Sequence, residues 1–289
     1  MGLGARDKCA VFGVFAPGRD VSRITYYALF ALQHRGQESS GIAVSTDRHV
    51  MLYKDMGLVQ QVFSEDLLAM MRGDAAIGHN RYSTTGRSTR VNAQPVVIQD
   101  TENPARSFAI AHNGNLVNTW ELAGDLANLG ASQETTSDTE TFGLLVQSFI
   151  SEMSFDDALR ETVKRARGAY SLVILTTDAL YAVRDPDGIR PLALGSFEGG
   201  YVVASESAAF PLVGGELVRD VEPGEIIRID RSGLHSERFA ESRIHTCMFE
   251  FFYFCRPDAL LRGKEVYSMR VEMGRQLARE SGVEADIVI

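Results

Sequence analysis

The stretch Cys9-Ala-Val-Phe-Gly-Val-Phe15, with Pro17-Gly18 close behind it, decides how this chain begins to fold. It is a short apolar run rich in β-branched and aromatic residues, which predicts a buried strand followed by a turn. From Asp20 the apolar residues recur at the spacing of one helix face, and this pattern ends near Arg35-Gly36. We therefore expect the chain to open with a buried strand, a turn and a helix.

Farther along the chain, the predicted strands occur as hairpin-like neighbours and the predicted helices in consecutive runs. Two helices follow Asn118 and Ser137-Asp-Thr-Glu140, and the second motif has the form of a capping box. His112-Asn-Gly-Asn-Leu116 contains Asn-Gly, the strongest short hairpin signal, which predicts a tight turn. Separate runs of strands and helices favour an α+β layered fold with antiparallel sheets over a parallel βαβ sheet.

Length, composition and charge exclude several classes of protein. The chain has 289 residues, enough for about two domains, and its 45% hydrophobic and 23% charged content is typical of folded globular proteins. No run approaches the roughly 18 apolar residues of a membrane span, and Met1–Lys8 is too short and polar for a secretory signal. We expect a cytoplasmic protein that does not bind membranes. A net charge of −9 argues against nucleic acid as a partner.

The three cysteines match neither a disulfide framework nor a CxxC-type zinc site. Cys9 could serve simply as a small core residue. If Met1–Lys8 were removed, however, its free α-amino group, with a reference pKa of about 7.7–8.0, would be a base beside its own thiol. Cys9 would then be a self-contained nucleophile.

Other polar residues have a structural and a functional interpretation each. Arg81 ends a predicted strand, where it is either solvated or holds a carboxylate through two hydrogen bonds. Asn113 and Gly114 either form an ordinary turn or present two donors to an oxyanion. Asp138 either complements a helix dipole or binds an ammonium group.

Taken together and in this order, the motifs are specific. The chain resembles the class II, N-terminal-nucleophile glutamine amidotransferases, with a near-terminal Cys9, Gln33-His-Arg-Gly-Gln37, Gly78-His-Asn-Arg-Tyr-Ser-Thr-Thr-Gly86, and the two motifs that begin at His112 and Ser137. Within them it is most similar to the branch whose second substrate is phosphoribosylpyrophosphate. The resemblance implies a four-layer αββα sandwich.

The resemblance also implies the reaction, the division of the chain and the role of each site residue. The reaction is glutamine hydrolysis to glutamate and ammonia, and in the full enzyme the ammonia goes to phosphoribosylpyrophosphate in the first step of purine synthesis. The divisions are a propeptide at 1–8, a glutaminase domain at 9–245 and the start of a truncated phosphoribosyltransferase domain at 246–289. The roles are Cys9 as nucleophile, Arg81 on the substrate carboxylate, Asp138 on its ammonium, Asn113 with Gly114 on the oxyanion, and Arg35 in a loop that closes over the substrate.

Cofactors and partners are implied in the same way. In the cluster-bearing branch, a cysteine placed like Cys247 ligates a [4Fe–4S] cluster, which takes four thiolates. A buried thiol is the alternative for Cys247, and Cys255 has no assigned role. Mg²⁺ is expected only in the absent phosphoribosyltransferase domain. The expected partners are glutamine, phosphoribosylpyrophosphate for the full-length enzyme, and further copies of the chain in a homo-oligomer.

Two other hypotheses stay open. An uncleaved chain would lack the α-amino base and would be an inactive glutamine-binding or assembly module. Alternatively, Cys247 and Cys255 would form an intermolecular metal or redox site. The residue at the mature N-terminus separates the first hypothesis from the enzyme, and iron content separates the second.

Overall fold

The structure, a computed structural model, describes residues 9–46, 48–82, 89–282 and 284–287. Two antiparallel sheets face each other, and helices cover both outer faces. The α+β class and the four-layer αββα sandwich predicted from the sequence are confirmed. No helix among these residues is both long and apolar enough to cross a membrane.

The first sheet has seven strands in the described residues. Their order is β11 (Gly215–Asp220), β9 (Ala193–Phe197), β10 (Gly200–Ala204), β1 (Ala10–Phe15), β4 (Ala75–Arg81), β2 (Ser39–Ser45) and β3 (Val50–Met56). The helices that belong with it are α1 (Val21–Ala31), α2 (Val59–Val62) and α3 (Glu65–Met70). A 3-10 helix, Gln33–Arg35, follows α1.

The second sheet has six strands in the part of the chain that the structure describes. Their order is β13 (Gly233–Arg238), β12 (Glu225–Asp230), β8 (Leu180–Arg184), β7 (Gly168–Leu175), β6 (Phe108–Leu116) and β5 (Val96–Ile98). It is covered by α4 (Thr119–Asn128), α5 (Asp138–Ile150) and α6 (Phe155–Arg165).

Strand β1 lies in the middle of the first sheet and is buried on both faces. Phe12 and Val14 join the core beneath the helices, whereas Val11 and Phe15 join the core between the sheets. Side chains alternate across a strand, so a strand buried on both faces is apolar at every position. This explains why the run that opens the chain shows no polar alternation.

The predicted Asn-Gly turn is wrong. Asn113 and Gly114 lie inside β6, paired with Ser171 and Tyr170 of β7. Gly114 has a φ of +152°, and a Cβ there would meet the Ala169 carbonyl oxygen at 2.0 Å. The glycine is therefore required by the close approach of the neighbouring strand and by its own φ angle.

The segment after residue 246 packs against the sandwich. A π-helix (Glu250–Phe254) precedes the short strands β14 (Leu260–Leu261) and β15 (Lys264–Glu265) and the helix α7 (Val266–Ser281). Phe251, Cys255 and Leu261 form one apolar cluster with Ala208, which follows β10. Residues 284–287 form no helix or strand.

Candidate active site

Cys9 is half-buried and immediately precedes β1. Strand β1 pairs with β4 in the register Ala10 to Asn80. Continuing this register by one residue sets Cys9 opposite Arg81. The thiol donates to the Tyr82 carbonyl oxygen across 3.6 Å, so the register of the sheet brings the predicted nucleophile to the predicted carboxylate-binding arginine.

Burial raises the pKa of the Cys9 thiol above its ordinary value, against the opposing influence of the Tyr82 carbonyl hydrogen bond and the charges of Arg81, Arg35 and Arg190. The thiol is therefore protonated at neutral pH. Because the thiolate is the nucleophilic form, chemistry at Cys9 needs a group that takes the thiol proton.

Arg35 is fully buried within the 3-10 helix that follows α1. The sequence analysis expected it in a loop that closes over the substrate, and in the structure it lies in this short helical turn between α1 and β2. Its Nε donates to the Cys9 carbonyl oxygen at 3.0 Å. Arg35 therefore contacts the backbone of the proposed nucleophile from within the core.

Two carboxylates that the sequence analysis missed neutralise this guanidinium. Arg35 Nη1 contacts Glu206 Oε1 at 2.5 Å and Glu250 Oε2 at 2.9 Å. Burial works against ionisation of Glu206, but the charge of Arg35 and a hydrogen bond from His34 lower its pKa to about 2. No local motif marks these glutamates, since they lie 171 and 215 residues from Arg35 in the chain.

Arg81 ends β4 and is 5% exposed. Its carbonyl accepts the Glu38 N–H at 3.1 Å. Gly36 approaches so closely that a Cβ there would lie 2.8 Å from the Arg81 carbonyl carbon. The glycine of the Gln33–Gln37 motif thus brings the end of that motif against Arg81, while residues 83–88 of the next motif lie outside the described part of the chain.

Asn113 is connected to β1 through a single hydroxyl. Its Nδ2 donates to Ser205 Oγ at 3.3 Å, and the same oxygen accepts the Val11 N–H at 2.9 Å. All three residues are buried. Ser205 therefore fixes the side chain of Asn113 relative to a strand that begins one residue after Cys9, and no sequence motif drew attention to it.

Asp138 begins α5 and attaches this helix to β6. Its Oδ2 accepts the Leu116 N–H at 2.9 Å, and its Oδ1 lies 3.5 Å from His112 Nδ1. Burial alone would raise the pKa of this carboxyl, but the charge and hydrogen bond of His112 and two backbone N–H groups lower it. Asp138 is therefore ionised at neutral pH.

The cap of α5 is simpler than the predicted capping box. Ser137 Oγ accepts the Thr139 N–H at 3.2 Å, one residue before the Glu140 N–H that a capping box would use. The Glu140 carboxylate instead accepts the N–H groups of Glu134 and Thr135 at 2.9 and 2.6 Å. Glu140 thus holds the loop that leads into the helix.

The expected cluster ligand Cys247 belongs to no group of three or more metal-binding side chains among the described residues. Cys247 is half-buried, whereas the buried Cys255 donates to Glu250 Oε2 across 3.2 Å. Among the described residues, no group of three or more His, Cys, Asp or Glu side chains could hold a metal ion. A [4Fe–4S] cluster takes four thiolates, so these residues do not hold one by themselves.

Comparison with known proteins identifies the domain. A family model described as a glutamine amidotransferase domain matches residues 79–211. The chain therefore contains a glutamine amidotransferase domain. Over 289 residues it is 48% identical to the amidophosphoribosyltransferase of Mycobacterium leprae and 47% identical to that of Mycobacterium tuberculosis, and each match covers 98% of this chain.

A solved structure supports the same relationship. The glutamine phosphoribosylpyrophosphate amidotransferase of Bacillus subtilis superposes on the domain with a TM-score of 0.90 at 40% identity, covering 96% of this chain and 60% of that one. The two mycobacterial matches cover 52% and 54% of the relatives. The chain therefore spans about half the length of the curated relatives that it matches.

His79→Gln should reduce the loss of stability in acid. His79 is buried in β4, and its Nε2 donates to the His112 carbonyl oxygen at 3.0 Å. Burial lowers the pKa of this imidazole to about 3, against about 6.5 for an unfolded histidine. Between these values the unfolded chain binds the extra proton, so the free energy of unfolding falls as the pH falls.

Urea unfolding at pH 7 and pH 5 measures the effect. Linkage predicts that His79 accounts for about 2 kcal/mol of the stability lost over this interval, and the variant should not show that part of the loss. The control is His49→Gln at an exposed position, which should retain the full wild-type loss. An equal loss in the wild type and His79→Gln would contradict the interpretation.

Proposed function

We propose that this chain hydrolyses L-glutamine to glutamate and ammonia through a thioester on Cys9. The observation that carries the proposal is that the proposed nucleophile, Cys9, and a proposed oxyanion donor, Asn113, are both connected to strand β1. Arg35 donates to the Cys9 carbonyl at 3.0 Å, and Ser205 joins Val11 to Asn113. Acyl transfer requires such fixed geometry between nucleophile and donors, because they must act on one carbonyl group.

The base in this proposal is the α-amino group of Cys9 after removal of Met1–Lys8. The buried thiol has a raised pKa, so it does not ionise by itself at neutral pH. A free α-amino group with a reference pKa of about 7.7–8.0 takes a proton from the thiol as the sulfur attacks. The same group then supplies that proton to the departing nitrogen.

The reaction proceeds in two balanced halves. In the first, the Cys9 sulfur bonds to the γ-carbonyl carbon of glutamine, the C–N bond breaks, and ammonia leaves with the transferred proton. In the second, water attacks the thioester, giving glutamate and restoring the thiol. The Gly114 N–H and the Asn113 side-chain amide stabilise the oxyanion in both halves. An amide nitrogen has two N–H groups, and one of them donates to Ser205.

Two charged residues recognise the ends of the amino acid in this proposal. Arg81, opposite Cys9 at the end of β4, binds the α-carboxylate, and Asp138 binds the α-ammonium. The lowered pKa of Asp138 supports its part, because only the ionised carboxylate attracts a cation. An amide that lacks either charged group would lose a charge-assisted contact with the site, so it would be bound more weakly than glutamine.

The activity of a full-length protein is a second part of the proposal. Residues 9–245 would supply ammonia, and 246–289 would begin a phosphoribosyltransferase domain that uses it to convert phosphoribosylpyrophosphate to 5-phosphoribosylamine, the first step of purine synthesis. The similarity to amidophosphoribosyltransferases supports this assignment. Mg²⁺ and the further ligands of a [4Fe–4S] cluster on Cys247 would belong to that longer protein, a cytoplasmic homo-oligomer.

Cys9→Ala should retain Met1–Lys8 and lose glutaminase activity. The variant lacks the thiol that attacks the Lys8 carbonyl during release of the octapeptide, and it also lacks the nucleophile. The rate of ammonia release should fall by at least about a thousandfold, as expected when a covalent nucleophile is removed. Intact mass and ammonia release from glutamine are measured on the same sample.

Cys247→Ala is the matched control, since it removes a half-buried thiol without a role in hydrolysis. It should be processed and active like the wild type. Full glutaminase activity from a chain that still carries Met1–Lys8 would contradict the proposed base. A processed but inactive wild-type chain would contradict the proposed function itself.

Asp138→Asn should weaken glutamine recognition more than it weakens the fold. Ser137 caps the helix, and an asparagine oxygen can still accept the Leu116 N–H. The lost charge-assisted contact with the substrate costs about 1.5–3 kcal/mol, which is more than tenfold in kcat/KM. Steady-state kinetics and thermal unfolding test this expectation.

Asp157→Asn provides the comparison, because Asp157 also lies in the first turn of a helix. It should leave kcat/KM unchanged. A variant Asp138→Asn that unfolds early but uses glutamine normally would show that Asp138 serves the fold alone.

A further inference from the structure

The contact between Arg35 and Glu250 is a two-pronged ion pair inside the protein. Arg35 Nη1 lies 2.9 Å from Glu250 Oε2, and Arg35 Nη2 lies 3.0 Å from Glu250 Oε1. Both side chains are 0% exposed. Such a planar pair restricts the rotation of the guanidinium as well as neutralising its charge.

The third nitrogen of the same guanidinium contacts the proposed nucleophile. Arg35 Nε donates to the Cys9 carbonyl oxygen at 3.0 Å. Because a guanidinium is rigid and planar, the carboxylate that orients Nη1 and Nη2 also sets the direction of Nε. The position of the Glu250 carboxylate is therefore transmitted through Arg35 to the backbone of Cys9.

Cys9 needs such support once the octapeptide is removed. It would then be the first residue of the chain, without a preceding peptide bond to hold it, and its strand pairing begins only at Ala10. Terminal residues are mobile unless another contact fixes them. A displacement of about 1 Å in a reacting group costs about a hundredfold in rate.

Glu206 contacts the same guanidinium in a different way. It uses one oxygen on Arg35 Nη1. Its carboxylate also accepts from His34 Nε2 at 2.9 Å and from the Arg256 N–H at 2.9 Å. Glu206 therefore balances charge among several partners, whereas Glu250 determines the orientation of Arg35.

Glu250 also contacts a second cation near the thiol. Its Oε1 lies 3.3 Å from Arg190 Nη1. Burial raises the pKa of the Cys9 thiol, and the charges of Arg35 and Arg190 oppose that rise. One carboxylate thus holds two of the cations that favour the Cys9 thiolate.

We propose that Glu250 is a positioning residue for glutamine hydrolysis, acting through Arg35 on the backbone of Cys9. The inference rests on the proposed function. It gives a residue beyond position 245 a part in the glutaminase centre, although the sequence analysis assigned that segment to another domain. Glu250 is fully buried and reaches Cys9 through Arg35, so we expect its effect on kcat rather than on KM.

The test compares Glu250→Gln with the wild type in steady-state glutamine hydrolysis by the processed chain. The substituted side chain in this variant has nearly the same shape as that of Glu250. Its amide N–H groups would face the N–H groups of Arg35, so the two-pronged contact with Arg35 is lost. The kcat should fall at least about tenfold through misplacement of the nucleophile, while KM for glutamine stays within about twofold. Glu250→Asp keeps the charge and should recover part of kcat.

Glu225→Gln is the matched control for loss of a buried fork. Glu225 is 2% exposed, and Arg219 binds both of its oxygens at 2.6 and 2.8 Å. This variant should lose stability in the same way as Glu250→Gln but retain the wild-type kcat. A Glu250→Gln variant whose kcat matches that of Glu225→Gln would overturn the proposal.

A second measurement keeps the inference separate from the proposed function. The measurement is the rate at which iodoacetamide alkylates Cys9, read from the mass of the peptide that contains Cys9. It does not depend on glutamine turnover. The rate should differ from that of the wild type by at least about threefold in Glu250→Gln, because Arg35 would no longer be held in one position beside the thiol; an equal rate in the folded variant would overturn the inference. If Glu250→Gln does not fold, Glu250→Asp takes its place with the same two outcomes. An inactive wild-type chain would contradict the proposed function alone.

Discussion

The buried guanidinium of Arg35 is the interaction on which the rest of the site depends. A charge removed from water is tolerated only when it is paired and hydrogen-bonded. Arg35 meets this condition with Glu206, Glu250 and the Cys9 carbonyl. These partners come from both ends of the chain, so the first strand, the segment after β10 and the segment after residue 246 must come together before the charge is satisfied. Removal of either carboxylate would leave a cation without part of its compensation.

The sandwich supplies the frame in which that charge can be buried. Strand β1 is covered on one face by the core that contains Phe12 and on the other by the core that contains Val11. This packing fixes the position of the first residues of β1. Ser205 then links β1 to Asn113 in the second sheet, and Asp138 links β6 to the N-terminus of α5. The proposed donors and binding groups are therefore held by strands and a helix end, which position side chains more accurately than loops do.

The sequence predicted the parts of the structure that depend on local patterns. Apolar periodicity and caps predicted β1, α1 and the Ser137 cap because neighbouring residues determine these features. Prediction from the sequence failed where contacts between residues far apart in the chain determine the structure. Asn113 and Gly114 lie within a strand because the Ala169 carbonyl approaches Gly114, which no local signal reveals. Glu206, Glu250 and Ser205 could not be chosen from the sequence for the same reason, since their partners are far away in the chain. The site residues came from the family resemblance, and their roles stay predictions.

The central claim is that Cys9, held at the start of β1, carries the acyl group. The most direct measurement is peptide mass mapping of the processed chain after an acid quench during glutamine turnover. The account predicts a γ-glutamyl group on Cys9 and an unmodified sulfur at Cys247 and Cys255. A glutamyl group on another residue, or glutamate production without any covalent species under conditions that preserve thioesters, would contradict it.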